Sequence, residues 1–547
     1  MYKLSDLINK LEKILTNKNL SETISIRISN NENFDFQINN LVKHQNHQDI
    51  KEITESFSEV INDEPYIKNF EITEKYFINL EIDVDKFIND SRNFKQAIKD
   101  KDSKTIILDY GGPNIGKPLH VGHLRSLNLG RSLYQINKAA GHNVLSDIHM
   151  GDWGMPIAQI IGFIDHKNLD IEKVEIDDLE KIYPESSALY SANNDFKEIA
   201  QSINKELNEN KENVLKKWKK IKDISIDSLK QTLKILNHDF DLWMGESDVN
   251  HLIPKMINKL NKNNKISLDN GAYVSNLNSD PKILITKSDG SYLYLTTDLA
   301  TVLNRIELYK FDKTLYIVDK RQKLHFEQLF KSIDYFDFGN EDYEHIAFGT
   351  INDSNGNPFR TRDGDTKKLI DLFEEASTYI KKININLDKK TNQLLANTVL
   401  TFSDLITNRM TDYKFDLDKF TSINGKTGIY VQYAHVRAKK LIKNSDIEMK
   451  KLTVDISKID DSDLNLIRGF MKFENYFNQA INNSEPHHLA DYLYEISNLF
   501  NSMYQNVNIL DNQNKVVKNN KLIISKYFIE YSEFLMDLLG LEPVEQM

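Results

Sequence analysis

The stretch that most constrains this chain is the run from Asp109 to Arg125, DYGGPNIGKPLHVGHLR. Before it, Lys104 to Asp109 is a short apolar run of the kind found in buried strands. A loop rich in Gly and Pro follows, Tyr110 to Pro118. Val121, Leu124, Leu127, Leu133 and Ile136 then mark one face of a helix, and Gly141 after Ala140 stops it. Asn143 to His149 reads as a second strand. Strand, loop, helix, strand is a βαβ unit, so the two strands should run parallel in one sheet. Open sheets of this kind bind nucleotides at the C-terminal ends of their strands.

That end carries the candidate chemistry. His120 and His123 are spaced i, i+3, which puts both imidazoles on one face of the helix start. A helix N-terminus supplies free N–H groups and partial positive charge. Together they predict a cradle for ATP phosphates. Gly122, between the histidines, would let an adenine ring approach the backbone. Gly111, Gly112 and Gly116 suit a tight loop.

The rest of the chain is read around this unit. At 547 residues, length predicts roughly three to four domains, and 40% apolar residues suffice for their cores. The absence of cysteine excludes disulfides, thiolate metal sites and a cysteine nucleophile. Any metal must use oxygen or histidine, as Mg²⁺ arriving with phosphates would. No apolar run is long enough for a membrane span and no signal peptide is visible, so the expected location is the cytoplasm. The net charge of −11 does not exclude nucleic-acid binding, which depends on local basic patches.

Residues 1 to about 100 read as a small α/β module. Leu4, Leu7, Ile8, Leu11, Ile14 and Leu15 have helical spacing, and Thr23 to Ile28 and Tyr76 to Ile82 alternate like strands. Residues 170–250 read as charged helices. Among them, Lys211 to Lys222 is a basic helix with Trp218, either a solvated face or an RNA contact. Residues 282–300 and 313–319 are expected as further strands. From about 370 the pattern is helical to the end, with a surface excursion over 445–462.

HVGH resembles the HIGH signature of class I aminoacyl-tRNA synthetases. PNIGKPLHVGHLRS, followed by GDWG at 151–154, is similar to the arginyl-tRNA synthetases in particular. GES at 245–247, YLYLTTD at 292–298, VDKRQKLHF at 318–326, FRTRDGDT at 359–366, TGIYVQYAHVR at 427–437, FNSMY at 500–504 and the terminal LEPVEQM fall in that family's order. The resemblance implies an N-terminal α/β module over 1–100 that meets the tRNA elbow. It implies a Rossmann-like parallel sheet with insertions over 101–395 and an α-helical anticodon-binding bundle over 396–547. It also implies ATP-driven attachment of L-arginine to its tRNA. The arginine carboxylate attacks the α-phosphate of Mg·ATP. The terminal ribose of the tRNA then takes the arginyl group.

By the same resemblance, His120, His123 and Lys117 are the catalytic candidates. The family's second signature, KMSKS, is missing. Its place reads FRTRDG, and Lys117 just upstream of HVGH compensates, with Arg360 and Arg362 as further phosphate ligands. Gly116, Gly122, His325, His345 and Gly349 are expected at ATP. Asn114, Glu246, Tyr294, Asp298 and Gln322 are expected at arginine, where carboxylates face a guanidinium fork. Tyr430, Tyr433, His435, Arg437, Tyr504 and Met547 are expected at the tRNA, with Phe36, Gln37 and Asn39 in the N-terminal module. No resident metal and no zinc are expected, and the chain should act as a monomer. Two other readings stay open on the residues alone. One is another HxGH adenylyl-transferring enzyme, including a class I synthetase for a different amino acid. The other is a synthetase-like protein that binds tRNA without catalysis.

Overall fold

A computed structural model describes residues 4–20, 24–29, 31, 33–90, 93–100, 102–288, 290–353, 355–357, 359, 367–445 and 453–547. The N-terminal module is a four-stranded antiparallel sheet in the order Ile26–Ile28, Phe36–Ile38, Ile78–Ile82, Ile67–Ile72. Helices Leu4–Asn17 and Ile50–Asn62 cover it. Leu7, Leu11 and Leu15 are buried with Phe57, Ile61 and the strand residues Phe36 and Leu80. The module is fastened to the C-terminal bundle: Arg468 Nε lies 2.9 Å from Asp35 Oδ1, and Phe94 stacks on Tyr531 at 3.9 Å.

The parallel sheet follows. Strand β1 (Thr105–Tyr110) leads through helix α1 (Leu124–Ala140) to β2 (Asn143–Asp147). The chain then makes a long excursion through helices α2 (Met155–His166), α3 (Ile176–Ala192), α4 (Asn194–Asn208) and α5 (Glu212–Ile235) and a hairpin, Ile266–Asp269 with Ala272–Ser275. It returns through α6 (Tyr294–Tyr309) to β3 (Lys313–Ile317), α7 (Lys323–Phe336) and β4 (Asp342–His345). The sheet order is β4–β3–β1–β2, and every pairing is parallel. Connections leave β1 to one side and re-enter at β3 on the other. The crevice between the ends of β1 and β3 is therefore the topological switch point.

The strand expected over 282–300 is corrected. Among the described residues there, only isolated bridges occur, Val274 with Leu284 and Thr286 with Tyr292. The chain then turns helical, and Leu295, Leu299 and Val302 are buried at helical spacing. The Tyr and Thr residues that favour strands were outweighed by that spacing.

The C-terminal part contains α8 (Lys389–Leu405), α9 (Gly428–Lys443), α10 (Asp461–Met471), α11 (His487–Asn506) and α12 (Lys515–Leu539). Helix α1 lies between the sheet and this bundle, and its polar face is buried as well. Asn128 donates to Asp404 at 3.1 Å, and the Ser132 hydroxyl donates to Leu538 O at 2.8 Å. No helix among the described residues is long and apolar enough to cross a membrane.

Candidate active site

The first wall of the crevice is built from β1 and the residues after it. Ser126 Oγ accepts the Gly111 N–H at 2.9 Å and donates to Ile317 O at 2.8 Å, so one hydroxyl ties the end of β1 to the end of β3. Asn114 pairs with Gly151: Gly151 N–H donates to Pro113 O, and Ile115 N–H to Gly151 O. Gly116 N–H is held by Ser225 Oγ of α5.

His120 is extended and caps a 3₁₀ turn, Val121–His123, that runs straight into α1. Its Nδ1 accepts the Gly122 N–H at 3.0 Å, and His123 Nδ1 accepts the His120 N–H at 3.0 Å. This is a capping box made of two histidines. The rings lie 3.9 Å apart. Burial, then the neighbouring Lys117, lowers the pKa of His120. Burial, then His120, pushes His123 down to about 3. Both imidazoles are therefore neutral at pH 7. In the tautomer in which Nδ1 accepts the backbone proton, each carries its own proton on Nε2, where it can donate. Gly122 has a nearer reason than a ligand: a Cβ there would stand 2.7 Å from the His120 ring.

The HVGH segment is braced from outside. Val121 N–H donates to Lys367 O, and Leu369 N–H to Leu119 O. Arg125, two residues after His123, is buried against Asp404, with Nε 3.1 Å from Oδ1. Its other nitrogens donate to Thr411 O and Asn408 O. The same loop meets the far side of the site. Gly349 N–H donates to Arg409 O, Thr350 N–H to Asp412 at 2.7 Å, and Lys320 pairs with Asp412 at 2.8 Å. His345, on β4, donates to Val318 O at 3.0 Å and stacks on Phe326. Lys117 is half-buried with its ammonium over the Tyr183 ring. Arg360 and Arg362 lie outside the described residues.

The second wall is assembled from distant segments. Asp152 is fully buried. It accepts Ser247 N–H at 2.8 Å and the Ser247 hydroxyl at 2.6 Å, and Lys222 Nζ lies 2.6 Å away. Gly245 is needed there because a Cβ would meet that carboxylate at 2.6 Å. GDWG and GES thus interlock and place Glu246 at the start of a short helix. Burial, reinforced by Asp152 and Asp298 and opposed by His149, pushes the Glu246 carboxyl up to about 7. Tyr294 opens α6 and Asp298 lies one turn later, and Tyr294 is 70% exposed. Asp298 accepts from His325 Nε2 at 2.6 Å, so His325, expected at ATP, is engaged by an acid expected at arginine. Gln322 is exposed on the turn after β3, and Asn114 is exposed after β1.

Beneath this wall Arg305 is fully buried between Asp109 and Asp147, at 2.6 and 2.7 Å. Burial works against a charge on His149. Asp147 and Asp109 overcome it and hold the imidazolium up to about 9. Sequence reasoning missed Arg305, Asp147 and His149 as partners, and also Lys222 and Ser247. Asp147 and His149 close the second strand, where such sheets carry function; Arg305 and Lys222 sit mid-helix and leave no signal. The basic helix α5 is fastened inward: Trp218 Nε1 donates to Asp152 O at 2.8 Å, Trp218 packs edge-on to Trp153, and Lys217 pairs with Asp165.

The expected tRNA residues divide. Tyr430 packs against Tyr494. Arg437 lies against the rings of Tyr433 and Tyr504, bonds the Tyr433 hydroxyl and donates to Asn501. All four are half-buried. Met547 is half-buried too, and its segment is tied to α9 by Gln432, which accepts Val544 N–H and donates to Glu542 O. His435 is a correction. It is fully buried, bonded to Ser532 at 2.9 Å, and burial pushes it down to about 4, so it is core and cannot meet RNA directly. Phe36 is corrected for the same reason, with no exposed surface. Gln37 is half-buried and donates to Asn79, and Asn39 is half-buried at the entry to a 3₁₀ turn.

One wall thus offers neutral N–H donors at a helix start and the other offers two carboxylates over a paired ionic floor. Such a cleft can hold a polyphosphate beside a cation. The family profile "tRNA synthetases class I (R), catalytic domain" matches residues 84–417, and "DALR anticodon binding domain" matches 431–547. The chain is 33% identical over 526 residues to an arginine–tRNA ligase of Francisella tularensis subsp. novicida, covering 90% of each. It is 32% identical over 541 residues to that of Agathobacter rectalis, again with 90% of each covered. Its fold is similar to the arginyl-tRNA synthetase of Plasmodium falciparum (TM-score 0.83, 24% identity, 99% of both chains). It is likewise similar to that of Thermus thermophilus (TM-score 0.81, 19% identity, 100% of both chains).

Proposed function

The chain belongs to the arginyl-tRNA synthetase family of class I, and from that premise we propose how its cleft joins L-arginine to tRNA at the expense of ATP. The observation that carries the reading is the pairing of two unlike walls across one switch point. Neutral His120 and His123 donate Nε2–H to phosphate oxygens. Lys117 supplies the cation that the missing KMSKS lysine would have supplied, with Arg360 and Arg362 as further candidates. Gly116, His345 and Gly349 border the nucleotide. Mg²⁺ enters with ATP as part of the substrate. Glu246 and Asp298 face the guanidinium of arginine, Tyr294 lies along its stem, and Asn114 and Gln322 hold its backbone end.

The chemistry needs no general base in the first step, because the arginine carboxylate is already ionised. It attacks the α-phosphorus, the bond to the bridging oxygen breaks, and pyrophosphate leaves. Preorganised donors that gain strength as charge spreads over the phosphates lower this barrier. Neutral imidazoles suit the task, since they stabilise the anion without holding pyrophosphate as tightly as fixed cations would. The terminal ribose hydroxyl of the tRNA then attacks the arginyl carbonyl and releases AMP. Tyr430, Tyr433, Arg437, Tyr504 and Met547 are proposed to meet the anticodon loop, and Gln37 and Asn39 the tRNA elbow. We keep 1–100, 101–395 and 396–547 as the functional units, acting as a cytoplasmic monomer.

Attachment of labelled arginine to total tRNA, with wild type beside His123→Ala, tests the reading. Strong charging lost in the variant supports it. tRNA binding by a folded wild type without charging would replace it with the non-catalytic reading. A panel of other amino acids excludes a different specificity. ATP–pyrophosphate exchange is expected to stay low until tRNA is added.

A further inference from the structure

We propose that Tyr183 is a positioning residue that holds the Lys117 ammonium ready for the phosphates of ATP. The inference rests on Lys117 being the phosphate lysine and asks what keeps a flexible side chain in place there. A lysine stem carries about 2 kcal/mol of rotamer entropy, so an unsupported ammonium would spend much of its time elsewhere. Among the described residues no carboxylate forms an ion pair with Lys117. Its Nζ instead sits 3.7 Å from the centroid of the Tyr183 ring. A ring face attracts an ammonium without neutralising it. A carboxylate in the same place would have to be displaced by each incoming phosphate. Burial lowers the Lys117 pKa, as expected for an ammonium shielded by a ring.

Tyr183 comes from α3, in the excursion between β2 and β3, so the contact is not local in sequence. One turn earlier on the same face, Glu180 pairs with Lys368 at 2.5 Å. Lys368 is the residue that bridges His120. A single turn of α3 therefore grips the phosphate wall twice, at Lys368 and at Lys117. Tyr183 also packs next to Gly116, where an added Cβ would reach its ring at 3.4 Å.

The test uses the full-length enzyme, with KM for ATP and for arginine measured separately in arginylation. The variants are Tyr183→Leu, Tyr183→Phe, Lys117→Ala and the double variant Tyr183→Leu/Lys117→Ala. Loss of a cation–ring contact predicts a rise in KM for ATP of about 3- to 20-fold in Tyr183→Leu. KM for arginine should hold, Phe should restore the ATP value, and the double variant should be no worse than Lys117→Ala. If Lys117→Ala leaves KM for ATP unchanged, the reading of Lys117 itself fails. If Lys117→Ala impairs ATP but Tyr183→Leu does not, or if the two losses add in full, the positioning role is overturned. Equal losses for both substrates, or no rescue by Phe, would overturn it in favour of plain packing. Tyr183→Met replaces the Leu variant if circular dichroism shows the latter to be unfolded.

Discussion

The two walls of the cleft are made in opposite ways. The phosphate wall is local: His120, Gly122 and His123 cap one another through backbone N–H groups within four residues. Both imidazoles are kept neutral. The proposed arginine wall is drawn from β1, β2, the GES turn, α6 and α7, and ionisable side chains dominate it. Asp109, Asp147, Arg305 and His149 make its floor, and Glu246, Asp298 and His325 its face. A polyanion is best met by dipoles and N–H donors that carry no counter-charge to displace. A guanidinium needs full charges, and these can be buried only with partners. The difference implies that the second wall also holds the fold together, whereas the first mainly serves catalysis.

That contrast can be broken by experiment. Arg305→Met leaves Asp109 and Asp147 buried with only the His149 imidazolium between them. It should cost about 3–5 kcal/mol of stability in urea unfolding; a variant as stable as wild type would show that the floor carries no such load. His123→Ala should cost about 2.7–4 kcal/mol in the barrier, or roughly 10²–10³ in kcat, while its unfolding midpoint moves little. A large drop in stability there would erase the distinction. Asp298→Asn removes half of the fork that faces arginine. KM for arginine should rise about 30-fold or more with KM for ATP unchanged, and equal changes in both would unseat Asp298 from the arginine side.

The smallest effect is in pH. Glu246 must be ionised to face a guanidinium, and its carboxyl is held at about 7. Lowering the pH below 7 protonates it, so KM for arginine should climb toward tenfold per unit. It should level off above pH 8, and Glu246→Gln should flatten the profile at a raised value. The groups around it, His149, Asp152 and Asp298, are named by the same electrostatics. KM for ATP should change less than KM for arginine over pH 6–8, because burial lowers the pKa of His120 and keeps His123 neutral down to about 3. A parallel rise in both constants would mean that the walls titrate together.

The HVGH cradle was legible because every signal for it lies within a few residues: a strand, glycines, then histidines at helical spacing. The reason for Gly122 was not, since the ring it makes room for belongs to His120 itself. Helix α6 reads as a strand in sequence because Tyr and Thr favour strands; the fold shows Leu295, Leu299 and Val302 sharing one buried face. In sequence, His435 reads as an RNA contact because it follows Tyr430 and Tyr433 on one segment, and Phe36 because its module resembles one that meets the tRNA elbow. Whether an aromatic or imidazole ring faces solvent or core depends on neighbours from other elements, here Ser532 for His435 and the sheet's own helices for Phe36.

By itself, then, the sequence determined what short-range physics can encode. That includes the βαβ unit, the capped helix start, the helical C-terminal half and the residues able to donate to phosphate. Only the tertiary structure decided which charges meet. Arg305 lies far along the chain from both Asp109 and Asp147, yet it becomes their shared partner once β1, β2 and α6 pack together. Lys222 reaches Asp152, and Tyr183 reaches Lys117, by the same route. Buried charges must be paired, but nothing in the local pattern of a chain names the partner; the packing of distant helices against one sheet does.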